Sequence, residues 1–394
     1  MVDAKNAPQI LEHLQKQLQH TCYDVKYAGG RGAARRGTGA HAAAPRPALT
    51  REPRGQTLPC RWVPSSARFV AVGSYPRDTG CLQVFELDGQ ELKLLKEEEK
   101  KVSFKCATFG HASLSHRTLA TGDFHGNLAV WDLEKSVNPI WTTKAHVNII
   151  NAIDGFGGQT RGCGAPEIVT CGRDGRVCVW DPRQRDAPVA ALEPETPDSA
   201  RDCWSVAFGN AYNNDDRCVV AGYDNGDVKL FDLRVNAVRW ETNVKNGVCS
   251  VSFDRQDIEM NKLSVCCLES RYHVFDMRTK HPQKGYASLT EGAVANSTVW
   301  GCDWLPQNRE VCMVRSGDGG LSLYRYHYPD QRRLQDAEGL NYGVPGSLTL
   351  EANRQISTQP ICSFNWSPDK EGLCVMASFD QCIRVGIVTK TNKV

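Results

Sequence analysis

The sequence predicts an all-β protein built by radial repetition, seven four-stranded units in one ring, and three observations predict it. A turn-and-strand signature recurs in one register: LATGDFHGNLAVWDL ending at Leu133, IVTCGRDGRVCVWDP at Pro182, GYDNGDVKLFDLR at Arg234, LSVCCLESRYHVFDM at Met277 and VCMVRSGDGGLSLYRY at Tyr326. The aromatic of its closing dipeptide falls at Phe85, Trp131, Trp180, Phe231, Phe275 and Tyr324, with Gly386 in that place in a seventh copy. The gaps are 46, 49, 51, 44, 49 and 62 residues, close to the length of a four-stranded blade. Inside each copy apolar residues alternate with period two, so each sheet has faces that must be covered by its neighbours, and radial stacking covers them.

The fourth copy shows the unit in order. CWSVAFG is its first strand, RCVVAG its second, DVKLFDL its third and AVRWETN its fourth, separated by turn residues. The last copy runs PICSFNWSP, LCVMASFD and IRVGIVTK and so supplies three strands of four. An open sheet edge there is a liability. The N-terminal PQILEHLQ is expected to supply the missing strand, although Ile10, Leu11, Leu14 and Leu18 also suit one helix face.

On these repeats the chain resembles the WD-repeat proteins, which implies a single seven-bladed WD-repeat β-propeller with the N-terminal strand closing the last blade. In the third copy His146, Thr170, Asp174 and Trp180 match the residues that form a hydrogen-bonded tetrad in that family. The resemblance implies that Asp174 accepts from imidazole, which receives the Thr170 hydroxyl, while that hydroxyl meets the indole N–H. The fourth copy has Asn225 and Phe231 at the corresponding places, so its tetrad is incomplete. Its Asp-x-Asn-Gly-Asp run lacks the late glutamate and flanking helices of a calcium loop and reads as a blade turn.

Composition narrows the function. With 41% hydrophobic and 23% charged residues the chain is ordinary for a globular protein, and no run of about 18 apolar residues suggests a membrane span. The first twenty residues are too polar for a signal-peptide core. Of 17 cysteines, Cys178, Cys249, Cys266, Cys312, Cys362 and Cys374 sit in apolar strand patterns, which suits a reducing compartment. Cys266 and Cys267 are adjacent and point to opposite faces; no CxxC pair exists, and no metal is expected. No nucleophile and base form a set, the ten histidines do not cluster, and GGQTRGCGAP near Gly158 lacks the ending of a phosphate-binding loop. A binding protein without catalytic activity or cofactor is the expectation.

One segment departs from the pattern. Residues 27–61 hold eight Ala, seven Arg, six Gly and four Pro, with a charge of +6 that leaves −4 on the other 359 residues. The domain reading is therefore 1–26, closing strand and start of blade one; 27–61, a low-complexity insert; and 62–394, the rest of the propeller. The insert reads as a translated intron, a disordered loop or a nucleic-acid tail. The first fits best, because removing it joins YDVK to WVPSSARFVAVGS and restores a first strand ending aromatic-x-Pro, as in DWLP and NWSP.

Longer segments carry a narrower resemblance: INAIDGFGG, APEIVTCGRDGRVCVWDPRQ, RDCWSVAFGNAYN, NGVCSVSFDRQDIEMNKL, FDMRTKHP and STQPICSFNWSPDKEGLCV. They resemble the Monad family of WD-repeat axonemal dynein assembly factors. That resemblance implies a cytoplasmic scaffold, with the cilium as a second location. It implies partners in the co-chaperone complex of RuvB-like ATPases, a PIH-domain protein and TPR adaptors, with prefoldin-like subunits nearby and dynein heavy chains as clients. It also implies a monomer within a larger assembly, binding neither membrane nor nucleic acid. The alternative is a substrate receptor of a cullin-RING ubiquitin ligase, since WDPR, FDLR and FDMR, ending at Arg183, Arg234 and Arg278, resemble the WDxR motif. The simpler account of these arginines is pairing with nearby acids or carbonyls. Histone or RNA binding is a weaker third reading, because the core is acidic.

The expected partner surface is the propeller face where turns after the second strand and before the first converge. There Phe124, Arg173, Asp224 and Phe379 approach Asp202, Trp204 and Trp300, a mixture of aromatic and charged groups suited to anchoring a partner. Trp204 and Trp300 could instead pack inside their own blades.

Overall fold

A computed structural model describes residues 7–18, 56–64, 66–113, 116–135, 137–157, 166–194, 196, 199–209, 216–256, 258–292 and 296–393. They form seven four-stranded antiparallel sheets and one small hairpin. Blade 1 spans 56–100, blade 2 104–144, blade 3 150–192, blade 4 203–243, blade 5 248–292 and blade 6 299–355; blade 7 joins 361–389 to the N-terminal strand. Each sheet is ordered along the chain, the first strand innermost, except that blade 7 takes its outer strand from the N-terminal segment. There Gln9–Gln17 runs antiparallel to Cys382–Thr389, from Gln9 opposite Thr389 to Gln17 opposite Cys382. The strand period of PQILEHLQ prevails over its helical one, because an edge of the last sheet needs its N–H and C=O groups paired.

The core is divided among the blade interfaces. Seven apolar clusters lie one between each adjacent pair, including Cys60, Phe69 and Phe85 against Val375, Ile383 and Val385 where blade 7 meets blade 1. The signature aromatics Phe85, Trp131, Trp180, Phe231, Phe275 and Tyr324 are all buried in these seams. Burying one such side chain stabilises by roughly 1.5–3 kcal/mol. Cys267 faces the blade 4 seam and Cys266 the blade 6 seam, as alternation requires. Every described cysteine is an unbridged thiol.

Two features depart from the plain repeat. The innermost described strand of blade 1 is Gln56–Trp62, so the last six positions of the 27–61 segment belong to the sheet. Packing explains this: Cys60 is fully buried and its N–H donates to Ser363 Oγ at 2.9 Å, while Trp62 N–H donates to Asn365 Oδ1 at 3.0 Å. Residues 19–55, with the rest of the segment and the expected first strand, lie outside the described residues, as does the glycine-rich run at 158–165.

The second concerns the long gap of 62. Blade 6 sends out an excursion before its outer strand, with a hairpin of Arg333–Gln335 and Asn341–Gly343. It folds over blade 5, where the Arg332 guanidinium donates to both Asp276 oxygens and to Asn261 Oδ1. Gly343 lies so close to Thr279 that a Cβ there would come within 2.3 Å.

Candidate functional site: the channel mouth

A single irregularity, repeated seven times, builds the site. In every innermost strand the pairing skips one residue: Pro59, Lys105, Asn151, Trp204, Cys249, Trp300 and Cys362. A bulge breaks the in-out alternation and re-aims its side chain. Lys105, Asn151, Trp204, Cys249, Trp300 and Cys362 thereby line the central channel. This accounts for Trp204 and Trp300, which are half-buried at the channel wall rather than packed inside their blades.

The rim is stitched above this ring. The N–H after the second strand reaches the carbonyl just before the first in six blades: Phe124 to Ser103, Arg173 to Ile149, Asp224 to Asp202, Leu268 to Gly247, Gly317 to Thr298 and Phe379 to Pro360, at 2.8–3.2 Å. These bonds fix the two sets of turns on one face. Phe124, Arg173, Asp202, Trp204, Asp224, Trp300 and Phe379 consequently all line one cavity of about 2650 Å³, which continues into the channel.

Within that mouth the groups are partly committed to one another. Arg173 Nε lies 3.4 Å from Asp202 Oδ2, and Asn151 Nδ2 donates to Asp202 Oδ1 at 2.6 Å. Trp300 meets Phe379 edge to face, centroids 5.8 Å apart. Trp204 lies against Gly247, where a Cβ would come within 2.6 Å of the indole. Asp224 Oδ1 is buried without a hydrogen bond, and burial, then the neighbouring Asp202, pushes this carboxyl above the usual range.

Deeper in the channel are charges that the sequence reading did not single out. Arg61 donates to the carbonyls of Ala107 and Phe364, both at 3.2 Å, bracing blade 1 against both neighbours. Arg315 Nε donates to Asp303 Oδ2 at 2.9 Å and its NH1 to Cys362 O at 2.8 Å. Gly301 leaves room for it: a Cβ there would fall 2.3 Å from the guanidinium. Asp154 accepts from Gly155 and Phe208 N–H and from Gln256 Nε2 at 2.7–2.9 Å, while burial pushes its carboxyl up. A charged residue inside an apolar strand, as in FKCAT or MVRS, was the available signal.

The tetrad residues are not among those lining this cavity. His146 Nδ1 meets Asp174 Oδ1 and its Nε2 meets Thr170 Oγ1, both at 2.9 Å, and Trp180 Nε1 donates to Thr170 Oγ1 at 3.1 Å. With Asp174 accepting, the network assigns the proton to Nδ1. Arg183 and Arg234 fold back onto Asp181 and Asp232, two residues earlier, and Arg278 donates to Met260 and Glu259 carbonyls. Asn225 and Asp227 bond each other, and among the described residues no three His, Cys, Asp or Glu side chains are grouped to hold a metal.

Comparison with known proteins places this architecture. The family model "WD domain, G-beta repeat" matches residues 137–181. A chain in the crystal structure of the mitotic checkpoint complex superposes with a TM-score of 0.61 over 91% of this chain and 98% of its own, at 16% identity, a likeness of fold alone. Dynein axonemal assembly factor 10 of Chlamydomonas reinhardtii is 57% identical over 393 residues, and that of Homo sapiens 53% over 393, each match covering 100% of both chains. The Dictyostelium discoideum protein of that name is 25% identical over 86% of this chain and 93% of its own. This seven-bladed WD-repeat propeller belongs to the dynein axonemal assembly factor 10 family.

Proposed function

We propose that this chain is a non-enzymatic scaffold in the cytoplasmic preassembly of axonemal dyneins, with the channel mouth as its partner surface. Its partners in this reading are the RuvB-like ATPases with their PIH and TPR adaptors and prefoldin-like subunits, and its clients are dynein heavy chains. It works as one propeller within that larger assembly, in the cytoplasm and secondarily at the cilium. The full-length identity to dynein assembly factors supports the role.

The observation that carries the choice of surface is the mouth itself: four half-buried aromatics and an ion pair on one rigid rim. Such anchors bury large area at small entropic cost. The test is a double charge swap, Arg173→Asp with Asp202→Arg, which preserves a pair of opposite charges and reverses the surface field. The expected outcome is an unchanged melting temperature with reduced co-purification of co-chaperone subunits or dynein heavy chain from ciliating cells. Full recovery of every partner moves the binding surface to the opposite face or the blade edges.

A further inference from the structure

Every lysine and arginine described in the channel wall is engaged except one. Arg315 faces Asp303 at 2.9 Å, Arg173 faces Asp202 at 3.4 Å, and Arg61 and Asp154 attract each other while each is also hydrogen-bonded. Lys105 stands on a bulge that aims it into the channel, between Phe104 and Cys106 of the blade 2 inner strand. Among the described residues its ammonium has no hydrogen bond and no ion pair. Other enclosed cations do: Arg61 holds two carbonyls, and Lys262 holds Asp254 and the Tyr328 hydroxyl. The carboxylate sharing its space, Asp202, is already engaged by Arg173 and Asn151. Burial lowers the Lys105 pKa, which is the cost of an ammonium without a partner. Such a charge is compensated by an anion of matching reach.

We infer that the channel mouth receives an acidic side chain of a partner peptide, its carboxylate on Lys105 and its apolar neighbours on Trp204 and on the Trp300–Phe379 pair. This deepens the reading of the mouth as a partner surface and rests on it. A chain lying across the rim drops one side chain to the level of the bulge ring, where Lys105 lines the same cavity as both tryptophans. An acidic residue flanked by apolar ones is therefore the recognised element, and a neutral glutamine of the same shape is rejected because it leaves the ammonium uncompensated.

The full chain, immobilised, is offered two amidated peptide pools, Ac-Xaa-Xaa-Glu-Xaa-Xaa-NH2 and the same with Gln at the centre, and retention is read by mass spectrometry. The wild type and Lys105→Arg should hold the Glu pool about tenfold better. Lys105→Met should bring the ratio to about one without lowering the melting temperature, since no internal bond is lost. Acetic anhydride footprinting of the unmutated protein gives the same answer should Lys105→Met fail to fold: the Glu pool protects Lys105 and the Gln pool does not. Equal retention on wild type, an unchanged ratio on Lys105→Met, no protection of Lys105, or a preference seen only with a free C-terminal carboxylate each overturns the inference. If partners are lost on the charge swap while the Glu preference is absent, the mouth stands as a partner surface and this inference alone fails.

Discussion

Two carboxyls on the same face are displaced in opposite directions, and each makes a different pH prediction. Burial pushes Asp380 up, but Arg384 NH2 at 2.6 Å, Ser378 Oγ at 2.6 Å and Ser357 Oγ at 2.8 Å outweigh it and hold the group at about 2, below the usual 3.8. A depressed acid contributes stability that is complete above the unfolded value and is lost as pH falls through the folded one. Between pH 4 and 2 the wild type should lose about 2 kcal/mol from this group, and Asp380→Asn should flatten that slope in pH-dependent urea melts. Asp224, raised by burial and by Asp202, has the reverse sign: its ionised form costs stability at neutral pH, and the cost fades as pH falls through the raised value. Asp224→Asn should accordingly melt higher than wild type at pH 7, the gap closing on acidification. In the tetrad, Asp174→Ala strands the His146 ring N–H and the Val147 amide, and should cost about 1–3 kcal/mol in chemical denaturation with partner capture retained.

At the scale of elements, the strands and turns were legible because period-two alternation and glycine-aspartate turns are local signals. The fourth copy shows this: the four strands expected from its sequence are Cys203–Phe208, Cys218–Tyr223, Asp227–Asp232 and Ala237–Asn243. The mouth residues were legible for the same reason, since blade register fixes which turns share a face. The bulge under Lys105 was not, because alternation alone assigns that residue to a sheet face and gives no sign of the skipped pairing. The excursion before blade 6's outer strand was equally silent, its strands RLQ and NYG being too short to show a period. Beside the Arg332 bonds, a buried blade 5 pair holds its Tyr328: Lys262 Nζ and Asp254 Oδ2 lie 2.9 Å apart, both side chains 0% exposed, with the ammonium 4.8–5.2 Å from the ring centroids of Trp304, Tyr326 and Tyr328. Removing one partner leaves the other charge orphaned, so Asp254→Ala should cost about 3–5 kcal/mol by calorimetry. Tyr328→Phe, which deletes one hydroxyl from the Lys262 and Asn261 bonds, should cost about 1 kcal/mol.

For the whole molecule, stability depends on closure, since each blade buries its faces only against two neighbours and the ring has one seam joined by distant parts of the chain. Two devices secure it: the Gln9–Gln17 strand completing blade 7, and the Cys60, Arg61 and Trp62 bonds to Ser363, Phe364 and Asn365. Both attach to the stretch that residues 27–61 interrupt. Deleting that segment sets Thr21–Lys26 directly before Trp62, which by register offers Val25 at the buried place of Cys60 and Lys26 at the channel place of Arg61. An apolar residue again faces the seam and a cation again faces the channel, so the seam's chemical pattern is kept while a long loop is removed. The 27–61 deletion should therefore give a folded protein with an equal or higher melting temperature and an undiminished Glu-over-Gln preference. Deleting residues 56–61 together with 21–26 leaves no segment for the innermost place in blade 1, and that protein should lose cooperative unfolding. Circular dichroism melts of the two variants, with transcript sequencing across the Lys26–Trp62 junction, check both. Unfolding of the first variant would mean that Gln56–Arg61 is the strand the ring requires and that the segment is an integral part of the propeller.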